Sequence, residues 1–181
     1  GMKVKEASEM KRLIATLEKS SDYKKRRREI AAFNKKSPYL KKGIALTPVK
    51  FGISFTLKHM NQAGALVHVY ADGSVSVNHG GTEMGQGLYT KVAQVVAETL
   101  GINLYQVGIT ATRTDKVPNT FPTAASAGSD LNGMAAKNAA ETIKERMAKV
   151  AARLQKTSPK QVFFEDESVF IAGKKAYSFA E

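Results

Sequence analysis

The stretch SVSVNHGGTEMGQGLYTKVAQVVAETLG, residues 74–101, changes its hydrophobic period once and breaks in between. Val75 and Val77 alternate with Ser74, Ser76 and Asn78, the two-residue repeat of a strand with one covered face. Leu88, Val92, Val95, Val96 and Leu100 then recur at helical spacing, and Gly101 stands where a helix commonly ends on a left-handed residue. Between the two patterns, His79 to Gly87 holds four glycines in nine residues. The stretch therefore predicts a strand, a glycine-rich loop and a helix in immediate succession.

Working outward, Asp72-Gly73 separates this strand from another apolar run over 64–71, a two-residue hairpin signal. Downstream, Val107–Thr112 reads as a strand. A loop with Pro118 and Pro122 then leads into a long helix from about Leu131 to Leu154, with Ser129 or Asp130 as its cap. Val162–Phe164 and Val169–Ile171 predict a small hairpin around Glu165-Asp166-Glu167. Upstream, Met10, Leu13, Ile14 and Leu17 line one face of a helix over 6–19. Ser20, Ser21 and Asp22 offer cap oxygens to a second helix carrying Tyr23, Ile30 and Phe33, which Asn34 to Pro38 should end. From Gly43 the β-branched and aromatic residues Ile44, Val49, Phe51, Ile53 and Phe55 suit an extended segment, with Pro48 confining its first part to a sheet edge. The expected fold class is α+β, a mixed or antiparallel sheet with packed helices and no regular β-α repeat. Residues 1–42 form a basic helical segment ahead of a domain over 43–181.

Length and composition narrow the function. At 181 residues the chain suffices for one domain with a core, and 43% hydrophobic with 24% charged residues is the balance of a folded, water-soluble protein. No run approaches the roughly 18 apolar residues of a membrane span, and no apolar leader opens the chain, so a cytoplasmic location is expected. Without a cysteine this chain holds no thiolate-bound zinc and no iron–sulfur cluster. The net charge of +12 is concentrated at one end, with 16 Lys/Arg against 5 Asp/Glu in residues 1–60 and 12 against 11 thereafter. Lys24-Lys25-Arg26-Arg27-Arg28 could follow nucleic-acid phosphates, but no aromatic stacking set accompanies it. A solvated or partner-facing helix is the plainer reading, and nucleic acid is not the expected partner.

Two loops carry the chemistry. The glycines of 79–87 let backbone approach a ligand, and the helix that follows presents free N–H groups and a positive dipole end, the means of holding an anion. The loop has neither the Gly-x-x-x-x-Gly-Lys-Ser/Thr spacing of nucleotide-binding loops nor the Gly-x-Gly-x-x-Gly of dinucleotide sites. Gln86 donates and accepts at once, which suits a pterin edge or phosphate ester as well as a backbone turn. The second loop, PNTFPTAASAGSD over 118–130, is small and hydroxylated and also opens a helix. Two such loops could converge on one phosphorylated ligand, although glycine-rich turns are often only turns.

Asn78 to Lys91, followed by Val117-Pro118-Asn119-Thr120, Thr123-Ala124-Ala125-Ser126 and Asp130-Leu131-Asn132-Gly133, closely resembles the molybdenum-binding subunit of the xanthine dehydrogenases. The likeness extends through Lys42-Gly43-Ile44-Ala45, Thr47 to Gly52 and the Tyr23 to Asn34 helix. The resemblance implies a molybdenum hydroxylase with a molybdopterin cofactor, converting hypoxanthine and xanthine to urate. Its metal is held by the cofactor dithiolene, so His59, His68 and His79 need not be ligands and no metal-binding residue is expected. Carried over by motif, Met84, Gly85 and Gln86 would line the pterin or its phosphate on one side. Thr123, Ala124, Ala125, Ser126, Ala127 and Gly128 would contact it from the other, with Glu83 bracing the turn through hydrogen bonds. Iron–sulfur clusters and FAD, which pass electrons to NAD, are expected on other subunits or domains.

The base of that family is the glutamate of a Gly-Glu-Pro motif, which occurs nowhere in this sequence, nor do the motifs lining the family's substrate pocket. The chain is thus expected to be an internal part of a longer subunit, inactive alone, whose partners are the rest of that subunit and the iron–sulfur and FAD parts. The basic helix would meet those missing parts. The surface they leave bare is expected to be apolar. The alternatives are another molybdenum hydroxylase, acting on aldehydes or N-heterocycles, and a stand-alone phosphate- or nucleic-acid-binding module working through its basic end.

Overall fold

The computed structural model describes residues 7–49, 51–115 and 119–181. Val117 and Pro118 of the second motif lie outside the described residues. The chain divides into two compact units, Gly1–Phe51 and Gly52–Glu181.

In the first unit, α1 (Ala7–Ser20) and α2 (Tyr23–Lys36) follow one another across a two-residue break. The expected side-chain cap is absent: Asp22 is left-handed (φ 50°) and no side chain caps α2, while Ser21 Oγ turns back to the Leu17 carbonyl at 2.5 Å. No residue of α2 is buried, so its cations are solvated. The chain then folds back along α2. The Asn34 amide pairs with both the N–H (2.8 Å) and the carbonyl (2.9 Å) of Lys42, whose ammonium sits 4.2 Å from the Phe33 ring centroid. Among the described residues the expected edge strand from Gly43 does not form, and those up to Leu57 are irregular. Among the described residues the β-branched ones there meet no partner strand, and Val49, Phe51, Ile53 and Leu57 are exposed.

Among its described residues the second unit holds two three-stranded sheets and two α-helices. β1 (Ala65–Val69) runs antiparallel to β2 (Val75–His79), with Val67 opposite Val77, and β2 lies parallel to β3 (Val107–Ile109), with Val75 opposite Val107. The β1–β2 connection differs from the two-residue expectation. Gly73 N–H donates to the Tyr70 carbonyl (3.0 Å), Tyr70 N–H donates to the Ser74 carbonyl (2.9 Å), and only Gly73 takes a positive φ (80°). This is a three-residue loop, favoured because the Asp72 carboxylate accepts from the Ser74 N–H (2.9 Å) and hydroxyl (2.6 Å), keeping Asp72 out of the left-handed region. Those same bonds lower the Asp72 pKa, the side-chain one most.

The parallel pair needs a crossover, and α3 (Leu88–Leu100) supplies it, ending on left-handed Gly101 (φ 70°) as its spacing predicts. Leu88, Val92, Ala93, Val96, Ala97 and Leu100 form its buried face. α4 (Gly128–Leu154) packs against it and against β1, with Gly133 facing Val95 and with Ala136 and Ala140 buried, small residues that let elements approach closely. α4 begins earlier than the predicted Leu131, and neither Ser129 nor Asp130 caps it: the cap position is Ala127. β3 stops at Ile109, three residues short of the predicted end, though Thr110 N–H still bonds the Val77 carbonyl at 2.9 Å.

β4 (Val162–Glu165) and β5 (Ser168–Ile171) form the predicted hairpin, with Asp166 and Glu167 both left-handed (φ 46° and 55°). β6 (Lys174–Ser178) adds a third antiparallel strand that the sequence does not announce. Its Lys-Lys-Ala-Tyr-Ser carries too few apolar residues to alternate visibly. The sheet is held to the end of α3 by Glu167, whose N–H donates to the Gly101 carbonyl (2.9 Å) and whose carboxylate accepts from Tyr105 Oη (3.0 Å) and Asn103 Nδ2. An apolar cavity of about 310 Å³ lies at the C-terminal end of α4, lined by Met147, Val150, Leu154, Phe164 and Tyr177.

Candidate functional site

β2 delivers His79 into the interior, fully buried, at the head of the glycine-rich loop. Its Nδ1 accepts from the Gly81 N–H at 3.1 Å, so that nitrogen is unprotonated and the neutral ring carries its hydrogen on Nε2. Burial pushes the imidazole pKa below its ordinary value, the Asn132 side chain opposing in part. The ring stands edge-on to Tyr89, centroids 5.4 Å apart. The two glycines after it are fixed by crowding: a Cβ on Gly80 would lie 2.4 Å from Thr120 Oγ1, and one on Gly81 would lie 2.6 Å from Leu88 Cδ2 and 2.7 Å from Asn132 Nδ2.

The rest of the loop is braced from within. Glu83 Oε1 accepts from the N–H groups of Gly85 (2.8 Å) and Gly87 (3.0 Å), and Oε2 from that of Tyr89 (3.0 Å). These bonds, that to Tyr89 foremost, hold the carboxyl below the usual glutamate pKa. Gln86 uses both ends of its amide on its own loop, accepting from Met84 N–H (2.6 Å) and donating to the Thr82 carbonyl (2.8 Å). The expectation that the start of α3 offers free N–H groups to an external anion is thereby corrected, because a carboxylate of the loop already lies there. Met84, Gly85 and Gln86 remain exposed, and a Cβ on Gly85 would meet nothing within 4 Å, so this side of the loop is open.

The second loop meets the first where Thr82 N–H donates to Thr123 Oγ1 at 2.8 Å. Ala125 and Ser126 are both left-handed (φ 52° and 54°), and the Ala125 carbonyl accepts from Ser54 N–H at 2.8 Å. Non-glycine residues in that region are strained, and such strain persists where surrounding structure enforces it. Ala127 is buried, while Ala124 and Ser126 face solvent. The first N–H groups of α4 have no acceptor within the helix, and among the described residues no side chain caps them. Thr123, Ala124, Ala125, Ser126, Ala127 and Gly128 thus form one continuous turn beside Thr82.

Sequence reading missed the residues behind the loops. Thr112 Oγ1 lies 2.8 Å from the Gly81 carbonyl and 3.2 Å from that of His79, and meets the Tyr89 hydroxyl at 3.1 Å. Asn132, 2% exposed, donates to the Gly128 carbonyl at 2.9 Å. Nothing in a lone threonine signals such a role, and Asn132 stands in the sequence only as one letter of the 130–133 motif, with no role attached. Among the described residues there is no cluster of three His, Cys, Asp or Glu that could hold a metal ion.

Residues 16–181 match the model of a family described as the molybdopterin cofactor-binding domain. The chain belongs to that family. It is 58% identical over 137 residues to xanthine dehydrogenase 2 of Arabidopsis thaliana, covering 76% of this chain and 10% of that protein. The xanthine dehydrogenase/oxidase of Gallus gallus is 56% identical over 128 residues, 71% of this chain and 9% of that one. The chain thus spans about a tenth of the length of these relatives. Among solved structures, quinoline 2-oxidoreductase from Pseudomonas putida 86 superposes with a TM-score of 0.61 at 30% identity, over 65% of this chain and 15% of that one. A Cu,Mo-CO dehydrogenase gives 0.61 at 26% identity, over 67% and 16%.

The site suits a molybdopterin held through its organic part. The loop is open at Gly85, and the start of α4 with the hydroxyls of Thr123 and Ser126 offers groups that fit a pterin edge and a phosphate.

Proposed function

We propose that this chain is the cofactor-cradling part of a xanthine dehydrogenase-like molybdenum subunit. The whole enzyme hydroxylates purines, hypoxanthine and xanthine to urate, and this part is inactive alone. The observation that carries the reading is the 2.8 Å bond from Thr82 N–H to Thr123 Oγ1, which joins two motifs distant in sequence into one surface within a molybdopterin-binding family.

Met84, Gly85 and Gln86 bind one side of the cofactor, and Thr123, Ala124, Ala125, Ser126, Ala127 and Gly128 the other. When bound, that group would supply the redox chemistry by which an oxygen from water reaches the substrate. The residues of this chain bind and orient. Gln86 keeps Met84 and Thr82 at fixed spacing, the turn at Ala125 and Ser126 presents backbone and hydroxyl groups, and buried His79 anchors the loop from behind. No residue of this chain is assigned as catalytic. Residues 1–42 serve as a basic helical segment facing the remainder of the subunit, and 43–181 as the cofactor domain. Iron–sulfur and FAD parts of the enzyme and a cytoplasmic setting complete the reading, with no nucleic acid or membrane as partner. Among the described residues no helix is long and apolar enough to cross a membrane.

The test is Gln86→Ala in the complete subunit, which is expected to lower its molybdenum and pterin content together. Wild-type content would refute the assignment. The likeness to quinoline 2-oxidoreductase favours, as second reading, hydroxylation of another N-heterocycle, and turnover of purine against quinoline by the complete enzyme separates the two.

A further inference from the structure

We propose that Glu83 is a positioning residue: its carboxylate is the built-in anion of α3, filling the helix N-terminus and setting the form in which Met84-Gly85-Gln86 is presented. As far as that presentation concerns a cofactor, the proposal rests on the reading above. The device itself stands on the geometry of the loop.

A helix start leaves N–H groups unpaired and carries a positive end, which an oxygen from the cap residue or an acid in the first turn ordinarily satisfies. α3 has neither. Its cap is Gly87, held at φ 75°, and its first turn contains no acidic residue. Glu83 supplies the missing anion from four residues upstream. One oxygen takes the N–H groups of Gly85 and Gly87, and the other reaches Tyr89 inside the first turn.

Among the described residues Glu83 joins none of the ion pairs, so its charge is balanced by these backbone dipoles and by solvent. The ring closed by Glu83 encloses Met84, Gly85 and Gln86, and the second brace, from Gln86 to Thr82 and Met84, acts on the same backbone. A phosphate or other external anion therefore finds the start of α3 taken, and the loop meets its ligand already shaped.

The experiment follows amide hydrogen exchange at Gly85, Gly87 and Tyr89 in the 181-residue chain, with no cofactor present. Glu83→Ala is expected to accelerate exchange at these three sites by on the order of tenfold or more, as charge-assisted bonds are lost. Sodium formate, compared with sodium chloride at equal ionic strength, is expected to restore part of that protection in Glu83→Ala and to leave the wild type unchanged. Glu83→Gln, of the same shape with one acceptor oxygen, is expected to fall between wild type and Glu83→Ala. Wild-type protection in Glu83→Gln, no response of Glu83→Ala to formate, or equal protection of the wild type by formate would each overturn the proposal. If Glu83→Ala does not fold, acid titration of the wild type decides. The three amide resonances are expected to move together with one midpoint, below the ordinary range of a glutamate, and independent movement overturns it. A failure here leaves the Gln86 test of cofactor content untouched, so the two readings fall separately.

Discussion

Gly101 ends α3 with φ 70°, and a Cβ built on it would lie 2.2 Å from the Phe164 carbonyl oxygen, 2.4 Å from that carbonyl carbon and 2.7 Å from the Glu165 nitrogen. Backbone cannot swing aside as a side-chain tip can, so Gly101→Ala must displace β4 or the end of α3. Two penalties add: about 1–2 kcal/mol for an L-residue held left-handed, and roughly 1–3 kcal/mol for forcing atoms into packed space. Gly173 provides the control, since it has φ 79° but nothing within 4 Å of its Cβ, so Gly173→Ala incurs the first penalty alone. Urea unfolding of the two variants, followed by far-ultraviolet circular dichroism, is expected to place Gly101→Ala roughly 1–3 kcal/mol below Gly173→Ala at unchanged slope. Equal stabilities would refute the argument, because they would mean that the hairpin yields freely at Gly101.

Two further outcomes are expected. The folded His79 pKa lies below 6.5, so between that folded value and 6.5 the unfolded chain binds more protons; the stability His79 contributes is complete above about 6.5 and is lost as pH falls through the folded value. Unfolding free energy should therefore fall on acidification below 6.5, with the imidazole proton resonances of the folded chain still neutral at that pH. Thr112→Val takes the hydroxyl donor from the Gly81 carbonyl and the acceptor from the Tyr89 hydroxyl, which keeps only the Thr112 N–H at 3.3 Å, and is expected to destabilise by about 1–3 kcal/mol. Combining it with Tyr89→Phe should cost less than the two changes summed, which a double-mutant cycle in urea measures.

The parts of the fold legible in the sequence are those where periodicity and local turn chemistry agree. α3 was readable because Leu88, Val92, Val96 and Leu100 mark one face and Gly101 its end, and the β4–β5 hairpin because two apolar runs flank a charged turn. What escaped depended on partners distant in sequence. The residues after Gly43 have strand-forming side chains but, among the described residues, no neighbouring strand. β6 is mostly polar yet pairs because β5 offers it an edge. At the site, the glycine pattern announced a loop near a helix start, and Glu83 was legible as a brace. That it would occupy the very N–H groups expected to receive an external anion was not, since the reach of one side chain is a matter of geometry. Thr112 and Asn132 were illegible for the same reason.

α4 has 27 residues, a rod of about 40 Å. Its first turn stands beside the two loops joined at Thr82 and Thr123, and its far half rests on β4 and lines the cavity with Phe164 and Val169. A rod seated at one end transmits tilt to the other, so a substitution beneath its tail shifts that first turn without touching any site residue. Variants in the second sheet that lose cofactor would then be misread as binding-site lesions, and the seating of the helix, rather than distance from the loops, becomes the proper measure of which positions this site can tolerate changing.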